Sequence, residues 1–205
     1  MEDFLSSKND TKNSTYSRKN SGNIEQKNEA ANEKSFLISK IISEIFIVKC
    51  EEGKSNMESE KNLLNSFISR KIPKISIKDF LDRLLKYGKT FNEIAIILFI
   101  YIDKICNKHK INLNYYNIHK LILAAFIVAI KFHEDKYYSM SYYAKLGGIS
   151  TKEAIKLEYE FTSLIDFKLF VEQKEYDKYY NYLHSLDENE DDIYDDDDFN
   201  IVNVN

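Results

Sequence analysis

"NIHKLILAAFIVAIKFHED" runs from Asn117 to Asp135, and its middle, Leu121–Ile130, holds ten consecutive apolar residues. A run that is apolar on every side has no face to show to water, so it predicts a helix at the centre of a core. It falls well short of the roughly 20 apolar residues needed to cross a bilayer, and so does "IAIILFIYI" (Ile94–Ile102). The run stops abruptly at Lys131, followed by Phe132, His133, Glu134 and Asp135. An enclosed helix that ends on a cation, an aromatic ring and two acids needs an explanation for its last turn.

The rest of the chain fits a helical domain around that run. It has 205 residues, 43% of them hydrophobic, with only five glycines and one proline. No segment shows the alternation of a half-buried strand, so the expected fold class is all-α. The formal net charge of −4 gives no general attraction to nucleic acid or to anionic membranes, and neither is expected as a partner. Cys50 and Cys106 have no paired spacing, and the N-terminus "MEDFLSSKNDTKNS" resembles neither a signal nor a transit peptide. Both thiols are therefore expected to be reduced, in the nucleus or the cytoplasm. Heavy use of Asn, Lys, Ile and Tyr points to an AT-rich genome such as a protist's.

Composition divides the chain into five parts. Residues 1–33 are almost devoid of apolar side chains and are expected to be disordered. Residues 34–50 carry Leu37, Ile38, Ile41, Ile42, Ile45 and Phe46 at i, i+3, i+4 spacing, an amphipathic helix in need of a surface, on this domain or on a partner. Residues 51–73 form a polar linker leading into the domain. Residues 74–186 form the compact region, and 187–205 an acidic, solvated tail.

Helix starts are marked by Ser76 with Asp79, Thr90 with Glu93 and Ser150 with Glu153, pairs that fit the capping box. Asn114 precedes the central run. Ser139 or Ser141 precedes a short segment that stops at Gly147–Gly148. These signals predict five helices over 77–87, 92–109, 115–132, 140–146 and 151–165. A short sixth follows in "QKEYDKYYNYLHSL".

Little here suggests catalysis. There is no glycine-rich phosphate loop, and His109, His119, His133 and His184 lack metal-ligand spacing, so no metal or cofactor is expected. "HED" (His133–Asp135) lacks the spacing and downstream cysteines of a zinc deaminase. Two residues do break the helix pattern. Glu158 lies on the apolar stripe Ala154, Leu157, Phe161, Leu164, and Lys131 lies three after Val128. From the pattern alone, Lys131 is either a snorkelling helix end that complements the dipole or a group aimed at another molecule. Glu158 is either a solvated rim position or the same kind of group.

"KISIKDFLDRLLKYG" (74–88), "LFIYIDKI" (98–105), "NIHKLILAAFIVAIKFHED", "YYSMSYYAKLGGIS" (137–150) and "EAIKLEYEFTSLIDFKLFV" (153–171) together resemble the cyclin box. In detail they resemble the P/U-type cyclins, the class that includes the yeast phosphate-response cyclins. The resemblance covers about residues 74–183 and rests on "YID", "HKL", "A-x-K", "YYAK-x-GG" and "LE-x-x-F" in order. It implies a five-helix box; the short stretch before the acidic tail makes a single box the expectation, with the helix of 34–50 and the short C-terminal helix as additions.

The resemblance also implies a regulatory subunit, not an enzyme, that binds and activates a cyclin-dependent kinase as a 1:1 heterodimer through the face formed by box helices three and five. By motif, Lys131 and Glu158 are the implied grip on kinase backbone, with Val128, Phe132 and Phe167 as apolar contacts. Position 162, apolar in many relatives, is Thr here. Asp135, and more weakly Glu134, are implied contacts of the kinase activation segment. Arg83 with Asp103 is the implied internal salt bridge, and Lys104 stands where many relatives have Arg, without the planar bidentate fork. A kinase-independent adaptor on the same fold is the competing reading.

Overall fold

The computed structural model describes residues 37–53, 64–90 and 92–188, which contain seven helices and no strand. The expectations for 1–33 and for most of the acidic tail concern residues outside this range. The helices are α1 (37–52), α2 (Ile77–Gly88), α3 (Asn92–His109), α4 (Ile118–His133), α5 (Met140–Gly147), α6 (Thr151–Leu164) and α7 (Gln173–Glu188).

The central run behaves as its composition requires. Every residue from Leu121 to Ile130 is buried, and α2, α3, α5 and α6 all pack on α4. Each large apolar side chain so enclosed contributes about 1.5–3 kcal/mol relative to exposure, so α4 anchors the fold. Gly147 permits one of these contacts, because a Cβ there would lie 2.2 Å from Leu123 Cδ2. Gly148 then takes the left-handed conformation, φ 69°, that ends α5 without a Cβ penalty.

Two of the expected caps form. Ser76 Oγ accepts the Asp79 amide at 3.0 Å, and Ser150 Oγ accepts the Glu153 amide at 3.1 Å. The Thr90 hydroxyl is used differently, donating to Glu134 Oε1 across the fold at 3.2 Å. The central helix also starts three residues later than the Asn114 signal predicts. The Asn114 amide donates to Asn117 Oδ1 while Asn114 Oδ1 accepts the Tyr116 amide, which locks residues 114–117 into a turn. α7 is a full 16-residue helix rather than a short one.

α1 packs on the box. Ile38, Ile41, Ile42, Ile45 and Phe46 are buried, and the Phe46 ring meets Phe99 of α3 at 5.6 Å. The Ser39 hydroxyl donates to Asp82 of α2, and Tyr115 donates to Glu51, which pushes the Tyr115 phenol up to about 12. α7 covers the other side of Phe99 with Tyr179, ring centroids 5.9 Å apart. Neither Cys50 nor Cys106 is in a disulfide.

Because Phe46 is 1% exposed and wedged against α3, Phe46→Ala should lower unfolding stability by about 3–5 kcal/mol. Urea denaturation followed by circular dichroism would measure it. A loss below about 1 kcal/mol would show that α1 is dispensable to the box.

Candidate protein-binding face

α4 ends where its enclosure ends. Lys131 stands in its last turn, and its ammonium donates to Glu158 Oε1 of α6 at 2.6 Å. Both side chains are partly buried, at 31% and 23% exposure, so the pair is screened less than a surface pair. The two residues that break the helix pattern are therefore brought together by the packing of α4 on α6. The ammonium has further protons to give, and the second Glu158 oxygen remains an acceptor.

Apolar side chains flank these positions along α4 and α6 and in the segment after α6. Val128, three residues before Lys131, is buried at 3% exposure, while Phe132 and Phe167 stand out at 49% and 67%. Ile155 and Tyr159 of α6 and Phe170 beyond it are also exposed. Thr162 adds nothing apolar, because its hydroxyl turns back to donate to the Glu158 carbonyl at 2.8 Å.

Phe167 is held out by a strained turn. Asp166 and Phe167 both have positive φ, 55° and 59°, costing roughly 1–2 kcal/mol each for residues with a Cβ. The surrounding fold imposes it. Lys108 of α3 pairs with Asp166, holding that carboxyl below its usual range, and His109 bonds the Leu164 carbonyl at 2.8 Å. The Tyr101 hydroxyl donates to the Leu169 carbonyl, so its oxygen is left to accept the His133 Nε2–H at 2.9 Å. Burial keeps the His133 imidazole below its ordinary pKa, hence neutral near pH 7.

Reading the sequence for ligand spacing missed this role of Tyr101 and His133, because it depends on a contact with residue 169. Ile155 and Tyr159 were detectable as an i, i+4 pair off the buried stripe of α6.

A family model described as Cyclin matches residues 5–169, most of the chain. The chain belongs to the cyclin family. It is similar to PHO85 cyclin-7 of Saccharomyces cerevisiae, 36% identical over 144 residues that cover 63% of this chain and 50% of that one. It is also similar to Cyclin-U4-1 of Arabidopsis thaliana, 36% identical over 112 residues covering 54% and 55%. A third relative is PHO85 cyclin-like protein psl1 of Schizosaccharomyces pombe, 36% identical over 129 residues covering 62% and 53%. These relatives support the P/U class, and this cyclin spans about half the length of each.

One expectation for the cyclin box fails. Asp103 is not paired with Arg83. Its carboxylate accepts from Tyr179 of α7 at 2.5 Å and from Asn107 at 3.1 Å. Arg83 lies instead over the Phe80 ring, 5.1 Å from its centroid. Docking of α7 on α3 explains the difference, since it brings a phenol to the buried acid, whose pKa burial raises despite these bonds. Lys104 also turns to α7, pairing with Glu175 at 2.8 Å. Glu134 is engaged by Thr90, whereas Asp135 is exposed and makes no hydrogen bond or ion pair with a described residue.

Removing the Tyr101 hydroxyl would leave the Leu169 carbonyl and the His133 N–H without their partner. Tyr101→Phe should therefore cost about 1–3 kcal/mol of stability. Urea denaturation would read it, and an unchanged midpoint would mean that the tether does not hold the turn.

Proposed function

We propose that this cyclin is a regulatory subunit that binds and activates a cyclin-dependent protein kinase through the α4/α6 face, as a 1:1 complex. The observation that carries this reading is the Lys131–Glu158 pair at 2.6 Å at the end of a buried helix, together with the exposed rings of Phe132 and Phe167. Such a face suits the regulatory helix of a kinase. The rings pack on the helix, the spare Lys131 protons meet backbone carbonyls, and the second Glu158 oxygen takes a backbone N–H. Holding that helix inward completes the kinase's own lysine–glutamate pair. All phosphoryl chemistry belongs to the partner.

Among the two acids after α4, Asp135 is the one available to a partner, and we assign it to the kinase activation segment. A carboxylate there can occupy an arginine site that a phosphate fills in other kinases, with less charge and fewer acceptor oxygens.

Lys131→Ala or Glu158→Ala should retain the helical circular dichroism signal and weaken kinase binding by about 2–5 kcal/mol. Affinity purification of the wild-type chain with mass-spectrometric identification supplies the kinase, and titration calorimetry the loss. Unchanged affinity in both variants would remove this face from the complex. For Asp135, the kinase carries Ala at its activation-loop Ser or Thr. It should be active with wild-type cyclin and lose most activity with Asp135→Ala. Inactivity already with wild-type cyclin would refute the assignment.

A further inference from the structure

A second surface lies at the other end of α4. A pocket of about 300 Å³ opens there between α1, the segment before α2 and the start of α4. Its walls include Ile47, Ile72, Pro73, Ile75, Ile77 and His119, and Ile47 and Ile72 are exposed large hydrophobics. Lys74, Ser76, Tyr115 and His119 supply its polar wall. The His119 Nε2 bonds the Ile75 carbonyl at 3.0 Å, so that nitrogen carries the proton and Nδ1 is an acceptor. The residue is only 5% exposed, and Nδ1 has no hydrogen-bond partner. The exposed Ile47 and Ile72 side chains favour an occupant that brings apolar side chains of its own.

Charge narrows the choice. Arg70, Lys71 and Lys74 stand exposed along the segment that forms one wall, and Lys74 itself lines the pocket. None of the three is in an ion pair with a described carboxylate. The occupant should therefore be acidic as well as apolar. The chain contains such a segment. Residues 189–205 hold seven carboxylates and no basic residue, and the run Asp195–Asp198 leads directly into Phe199, Ile201 and Val202.

Reach is sufficient. Phe46, the neighbour of pocket residue Ile47, and Tyr179 of α7 contact the same Phe99 ring. From Tyr179 to Glu188 the helix advances only about 14 Å, while the ten residues 189–198 can extend over about 33 Å. Being tethered, the segment meets the pocket at an effective concentration near the millimolar range, so weak contacts suffice.

We propose that the acidic segment 189–205 docks in cis in this pocket, with its aspartates on Arg70, Lys71 and Lys74 and its Phe199–Val202 stretch in the apolar cleft. Docking covers the apolar surface that Ile47 and Ile72 otherwise show to water. The sequence alone reads this segment as a solvated end; the pocket supplies the surface that the reading lacks.

The test is zero-length carbodiimide crosslinking of the full chain, followed by mass spectrometry of the monomer band. Expected is an amide joining Lys71 or Lys74 to one of Asp195–Asp198, several-fold more abundant than links to the equally exposed Lys136 or Lys152. Ile72→Asp, at a half-exposed position, and Phe199→Ser should each suppress it without changing the helical signal. Amide hydrogen exchange over 70–77 should then quicken. Three outcomes would overturn the proposal: no preferred link to Lys71 or Lys74, a link confined to a dimer band, or a link that survives both substitutions. The last would show charge attraction without docking. None of these readouts depends on kinase binding.

Discussion

Complete enclosure of α4 is the constraint on which the rest of the structure depends. Ten consecutive apolar residues have no side to spare for water, so four helices must close around them. Only the ends of such a helix can reach solvent, and they are where this chain places its polar and aromatic exceptions. Lys131 and Phe132 emerge at one end, and His119 lies at the other, about 18 Å away by helical rise. The arrangement turns a packing requirement into a division of surfaces.

Buried polar groups then set the positions of the outer elements. Asp103 is kept inside by the hydroxyl of Tyr179, which fixes α7 on α3. The Tyr101 hydroxyl, itself held by His133, binds the Leu169 carbonyl, which fixes the segment after α6. Each bond satisfies a group that would be costly to leave unmade, so the chain has little freedom to choose another register. α1 is placed mainly by apolar contact, with the Ser39–Asp82 bond to orient it.

The two left-handed residues, Asp166 and Phe167, show what this rigidity is used for. Strain at adjacent positions persists only where neighbours over-determine it, and here Lys108, His109 and Tyr101 do so. The outcome is an aromatic ring held in the open in the turn that follows α6, the helix that carries Glu158. A side chain already fixed in place loses less entropy when a partner covers it, which favours tight binding on a modest area. The two ends of α4 share no side chain, so a change at the pocket near His119 need not disturb the Lys131 end.

By itself the sequence determined the helical class, the central position of α4 and the starts of α2 and α6. These follow from local physics: apolar period, uninterrupted apolar content and short-range capping by Ser76 and Ser150. It also exposed Lys131 and Glu158 as exceptions, since a charge on an apolar stripe is visible without coordinates. Only tertiary structure decided that these two meet, that Asp103 takes Tyr179 in place of Arg83, and that Thr90 serves Glu134 rather than capping α3. The same holds for α1, whose stripe demanded a surface without naming one, and for Tyr101 with Leu169, 68 residues apart. Local rules govern residues within about one helical turn of each other. The choice between partners many turns apart is made by which faces pack, and burial then holds those partners together because neither can return to water.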